Sequence, residues 1–145
     1  MAITQAIANA FKKQLLEGDA NFASGGDVFK LALYTSSATL NSATTSFTTS
    51  GEVSNTGTYA SGGDPLAGQN TSIASGVAIV DFADLSFTGV TLTARGALIY
   101  NTSSAVTNAA VAVLDFGADK TATSGTFTIQ FPAFTTAAAI LRISG

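Results

Sequence analysis

Histidine, cysteine and tryptophan are absent from this 145-residue chain, and charged residues make up only 10% of it. Without histidine or cysteine there is no Ser-His or Cys-His pair to activate a nucleophile, and no thiolate to hold zinc or an iron–sulfur cluster. No Ser-x-x-Lys spacing offers lysine as a substitute base, and Ser24-Gly25-Gly26-Asp27 lacks the Lys-Ser/Thr that would make a glycine-rich turn a phosphate loop. The six basic residues are scattered at Lys12, Lys13, Lys30, Arg95, Lys120 and Arg142, so no stripe of positive charge follows a nucleic-acid backbone. No apolar run approaches the ~20 residues that span a bilayer. Nor does a basic segment followed by an apolar run open the chain as a secretory signal would, and synthesis in the cytoplasm is expected. No catalytic residue, cofactor, nucleic-acid partner or membrane partner is expected.

What remains is 46% hydrophobic, rich in Ser, Thr and Gly, with a net charge of -3. Ordinary soluble domains carry charge on about a quarter of their residues, and that charge keeps copies apart. Two explanations fit so little charge: hydroxyls do the solvating, or neighbours in an assembly cover much of the surface. The depletion favours the second. At this length the chain fits one domain, residues 1–145, with a core that needs no disulfide or structural metal.

The hydrophobic pattern predicts a mainly β fold with one N-terminal α-helix. Over residues 3–17 the helical period puts Ile3, Ile7, Ala10, Phe11 and Leu15 on one side, with Leu16 at the border and Gly18 as a stop. The period then changes to two. Residues 28–34 alternate Phe29, Leu31 and Leu33 against Lys30 and Tyr34, which predicts a half-buried strand. Residues 35–72 form a long Ser/Thr/Gly-rich loop with isolated anchors such as Leu40, Phe47, Val53, Tyr59 and Leu66; a connection this long tends to be functional or to wrap over something. Further strands are expected at 73–82, 85–87, 90–100, 110–116, 126–131 and 138–143. In the fifth of these Phe127, Ile129 and Phe131 point inward and Pro132 ends the ladder. Strands at this spacing imply a two-sheet antiparallel β-sandwich, jelly-roll or immunoglobulin-like in connection.

Carboxylates are the one arrangement with chemical potential. Asp81 with Asp84, and Asp115 with Asp119, are weak candidates for cation ligands or for a hydrolytic pair, set against the commoner role of aspartate in capping turns. Arg95, among apolar strand residues, is expected to pair with Asp81 or Asp115, or to reach a partner's carboxylate. Tyr34, Tyr59 and Tyr100 are the aromatics left for stacking on a sugar, and each could equally cover a sheet edge or fill an interface.

Four segments carry a resemblance over nearly the whole chain. They are Asp27 to Leu40 followed by Gly51-Glu52-Val53-Ser54; Thr93-Ala94-Arg95-Gly96-Ala97-Leu98-Ile99-Tyr100-Asn101; Ala112-Val113-Leu114-Asp115-Phe116-Gly117; and Phe127-Thr128-Ile129-Gln130-Phe131-Pro132. With these the chain resembles small virion structural proteins of tailed bacteriophages, of the capsid decoration or cement type. The resemblance implies a non-enzymatic protein on the capsid surface, partnered by the major capsid protein and by itself as a dimer or trimer. It brings no catalytic residues. A tail or neck component, such as an adaptor or fibre-attachment protein, is the alternative, and a glycan- or receptor-binding module a third. A clamp of this kind needs contact elements. The helix and the 35–72 loop are the candidates, with Ile3, Ile7, Phe11, Tyr34, Phe47 and Tyr59 as their interface residues.

Overall fold

The computed structural model describes residues 2–135 and 137–144. Two antiparallel sheets and one short N-terminal helix make a β-sandwich. The elements are β1 (Ala6–Ile7), α1 (Asn9–Leu16), β2 (Phe29–Tyr34), β3 (Asp64–Pro65), β4 (Asn70–Ala74), β5 (Val77–Asp81), β6 (Leu85–Asn101), β7 (Ala109–Ile129) and β8 (Leu141–Ser144). The larger sheet has the order β1-β7-β6-β2-β3 and the smaller the order β4-β5-β8.

Turn chemistry decides where the strands differ from the sequence-based expectation. The segment 73–82 is not one strand. Ser75 and Gly76, at φ 51° and 75°, form a two-residue hairpin turn that folds β4 back on β5. Conversely, glycines at 89 and 117 do not end their strands. Positive φ at Gly89 is absorbed in a register shift between Phe87 and Val90, so the two expected strands join as the 17-residue β6. Residues 116–119, with Gly117 at φ 81°, bulge between the pairs Ala94–Lys120 and Gly96–Asp115, leaving β7 continuous over 21 residues. Backbone pairing along the whole β6–β7 hairpin holds each strand together across its bulge.

The expected helix 3–17 is also shorter. Ile3 bridges in parallel to Leu40, Ala6 and Ile7 pair with Val113 and Ala112, and only Asn9–Leu16 is helical. An edge of the large sheet captures the first turn and a half because β-branched Ile3, Thr4 and Ile7 fit an extended chain. The helix starts without a side-chain cap. Instead the Ala8 and Asn9 amides donate to the carbonyls of Val111 and Ser42, at 2.9 and 2.8 Å. It ends as expected at Gly18 (φ 75°), with Gly18 N–H bonded to Leu15 and Asp19 N–H to Gln14, the two bonds of a Schellman cap.

β2 is buried on both faces, not one. On one face a train of phenylalanines crosses between the sheets. Phe22 stacks on Phe29 at 4.3 Å, Phe82 meets both edge-on at 6.2 and 5.9 Å, and Phe131 lies 5.7 Å beyond Phe82. Phe127, Ile129 and Phe131 are buried as their alternation requires, and Thr126, Thr128 and Gln130 are exposed.

The other face is covered by the chain between β2 and β4, which wraps the sheet as the length of that connection suggested. All three tyrosines pin it. Tyr34 OH donates to the Thr48 carbonyl (2.7 Å), Tyr100 OH to the Gly62 carbonyl (2.6 Å), and Tyr59 OH to Glu52 Oε2 (2.8 Å) while accepting from Leu33 N–H (2.9 Å). Glu52 also accepts from Ser61 Oγ and from the Gly62 amide. Phe47 stacks on Tyr100 at 4.9 Å. Along the edge of β2 the wrap extends the ladder, Val53 N–H bonding to Leu33 and Leu66 N–H to Phe29. At Gly63 (φ 72°) it passes so close to β2 that a β-carbon would collide with the Leu31 carbonyl.

Three outcomes follow from this packing. Phe82→Ala should lower unfolding free energy by about 3–5 kcal/mol in urea titration, since it empties the centre of the aromatic train. Tyr59→Phe should lower it by about 1–3 kcal/mol, because the Leu33 amide and Glu52 lose their shared buried partner. Burial holds the Tyr34 and Tyr59 hydroxyls protonated far above the usual phenol range and pushes Tyr100 up to about 12. The folded state thus keeps phenolic protons that the unfolded chain releases near pH 10, so this stability is complete below about pH 10 and falls as pH rises through 12. Phenolate absorbance should appear together with unfolding on alkaline titration, not ahead of it.

Candidate contact surface

Side chains on one face of the small sheet align across its three strands: Thr71 with Val80 and Leu141, and Ile73 with Ala78 and Ile143. Helix α1 approaches this face through Phe11, which meets Phe22 edge-on at 5.8 Å. Because α1 has only two turns, it does not close over the sheet. An open groove of about 540 Å³ remains between them, with Phe11, Leu15 and Leu16 on one wall and Val80, Leu141 and Ile143 on the other. Large apolar side chains stand out at and beside it: Leu16 is 90% exposed, Ile73 74%, Ile143 57% and Ile7 36%. Clustered exposure of this kind marks a site of contact, whereas single exposed apolar residues need no explanation.

The β4–β5 side of this groove carries little formal charge. No charged residue occurs from Pro65 to Val80. Elsewhere hydroxyls pair across the β6–β7 hairpin, Thr93 with Thr121 and Ser86 with Thr128, each at 2.9 Å. Lys12 and Arg142 are the basic groups lining the groove. The exposed pair Lys13–Glu17 (3.0 Å) lies one helical turn apart and contributes little to stability.

The sequence-based candidates fare unevenly. Ile3, Phe11, Tyr34 and Tyr59 are buried within the chain's own core, and Phe47 is partly buried against Tyr100. They hold the fold and offer a partner no surface; only Ile7 keeps an exposed side chain. With all three tyrosines buried and bonded to the wrap, no pair of them forms an exposed platform for a sugar ring. Leu16 stood at the border of the expected helical stripe, and its position after the last inward residue was the available signal. Ile73 and Ile143 lay inside expected strands, and their exposure depends on which strands form the small sheet.

The four aspartates are not assembled into a site. Among the described residues no three acidic side chains come together to hold a metal ion. Asp84 Oδ1 accepts the Phe131 amide at 2.9 Å, a local capping role. Asp115 Oδ1 accepts the Gly117 amide at 2.9 Å and lies 3.4 Å from Arg95 Nε. The Gly117 amide and then Arg95 hold the Asp115 carboxyl below its usual range. The pair is partly exposed, so Arg95 finds one of its two expected partners without a buried ion pair. Asp119 is exposed on β7, and Asp81 Oδ1 is buried with no hydrogen-bond partner among the described residues.

The chemistry available at the groove is apolar contact. No family model, characterised protein or solved structure matches this chain. Leu16→Asp and Ile143→Asp should each lower unfolding free energy by only about 1 kcal/mol, through lost helix or strand preference and not through the core. Both should reduce the fluorescence of an apolar dye bound to the folded protein.

Proposed function

We propose that this chain is a non-enzymatic structural protein of a tailed-phage virion, bound to the outside of the capsid as a decoration or cement protein. The observation that carries the proposal is the open apolar groove flanked by Leu16 and Ile143. Such a surface is unfavourable in a free protein and is explained by a permanent neighbour. The hydroxyl-rich exterior supports the same reading, because uncharged polar surfaces form hydrogen-bonded seams without desolvating unpaired charges. A cement must also resist deformation. The aromatic train and the tyrosine-pinned wrap make a rigid body without disulfides, and binding several shell subunits at once would turn modest contacts into high avidity. The major capsid protein is the partner proposed for the groove.

Particles lacking this protein should break at a lower temperature than complete ones, and purified protein added back should restore them. It should also bind DNA-free, tailless heads, and Leu16→Asp should abolish that binding. Equal fragility of deficient and complete particles, or density found only on tails, would overturn the cement role.

A further inference from the structure

We propose that β4 is a self-pairing edge: a second copy of this chain docks antiparallel against it about a two-fold axis through Ser72, joining the two small sheets into one of six strands. β4 is the terminal strand of its sheet, and all five of its residues are exposed. Natural edges are usually blunted by charge, proline, a bulge or short length. The stretch Asn70-Thr71-Ser72-Ile73-Ala74 has no charge and no proline, and its pairing with β5 runs without a register shift.

The hydrogen-bonding pattern selects the partner. The two-residue turn makes Ala74–Val77 the closing bonded pair of the hairpin, and bonded pairs then alternate, so Ser72 and Asn70 also direct their amides and carbonyls toward β5. Thr71 and Ile73 therefore present theirs outward. The Thr71 amide is met there by Asn70 Oδ1 at 2.9 Å, a local substitute for a strand partner. In an antiparallel pair centred on Ser72, Thr71 of each copy faces Ile73 of the other. Every outward group then meets an outward group of opposite kind, giving four hydrogen bonds. The same register sets the two exposed Ile73 side chains diagonally across the axis, within contact range. Thr71 and Ile73 share the sheet face of Val80, Leu141 and Ile143, so pairing places both apolar grooves on one side of the joined sheet. A dimer built this way presents two equivalent docking surfaces in one direction.

The pairing stands on edge geometry and does not depend on the capsid reading. Sedimentation equilibrium of the purified chain should show a dimer, and Ile73→Lys should weaken self-association by about ten-fold or more by placing like charges beside the axis. Its circular dichroism should stay unchanged, since residue 73 is exposed, and its melting temperature should match the wild type's at dilutions where both are monomeric and fall below it where the wild type dimerises. The absence of cysteine permits a second test. Ser72 of the two copies face each other at a non-hydrogen-bonded position about 4.5 Å apart, within disulfide reach. Under mild oxidation Ser72→Cys should crosslink about ten-fold faster than Ala74→Cys, which faces Asn70 of the other copy. A wild-type chain that stays monomeric, an Ile73→Lys variant that dimerises normally, or equal crosslinking at 72 and 74 would each overturn the pairing. A monomer that still binds heads would leave the capsid role standing, and a dimer that binds none would do the reverse.

Discussion

The stacking of Phe22 on Phe29, with Phe82 set edge-on against both rings, is the contact through which the two sheets become one body. Phe29 opens β2 of the large sheet, Phe82 follows directly on β5 of the small one, and Phe22 comes from the connection after α1. Phe11 and Phe131 extend the train to the helix and to the chain after β7. Aromatic pairs of this geometry add about 0.5–1.5 kcal/mol each beyond the area they bury. The small sheet is thereby held at the end of its middle strand. Its outer strand β4 stays uncovered, and the two-turn helix spans only part of the gap beside it. The open groove is a consequence of where the clamp sits.

Burial of the opposite face rests on a different interaction. Phenolic hydroxyls satisfy carbonyls and a carboxylate of the wrapping segment while their rings fill the core, so a stretch with almost no secondary structure is held as firmly as a strand. Glu52 shows why this is a network: its carboxylate gathers Tyr59, Ser61 and the Gly62 amide around one point. Polar groups that satisfy one another in this way can lie inside the protein without the cost of an unpaired partner. The wrap covers the β2 side of the large sheet and leaves the outer part of the β6–β7 hairpin exposed, while exposed large apolar side chains gather at the small sheet and α1.

Much of the fold was legible from periodicity. The alternation of Phe127, Ile129 and Phe131 and the stop at Gly18 appear in the structure, and the expected 35–72 loop wraps the sheet, although its residues 64–65 form β3 and 70–72 belong to β4. The strand boundaries misplaced at residues 76, 89 and 117 share one physical cause. Glycine marks both turns and bulges, and only the presence of a hydrogen-bonded neighbour strand distinguishes Gly76, which reverses the chain, from Gly89 and Gly117, which do not. The contact surface was less legible. Ile3 and Phe11 have the composition of interface residues, yet they are spent on the chain's own core; Leu16 is marked by its place at the border of the helical stripe, but nothing local to Ile73 or Ile143 says that they are left outside.

Composition by itself determined that the chain has no imidazole or thiol chemistry, that its polar surface carries little charge, and that its alternating strands must form sheets with an apolar interior. Those are properties of residue types and spacing, which need no partner to be expressed. Tertiary structure decided which apolar residues the interior would take. That choice depends on strand order and on the reach of an eight-residue helix, both set by contacts between residues far apart in the chain. With the Phe train in place, Tyr34 and Tyr59 turn inward to hold the wrap, while Leu16, Ile73 and Ile143 remain at the surface where another protein can cover them.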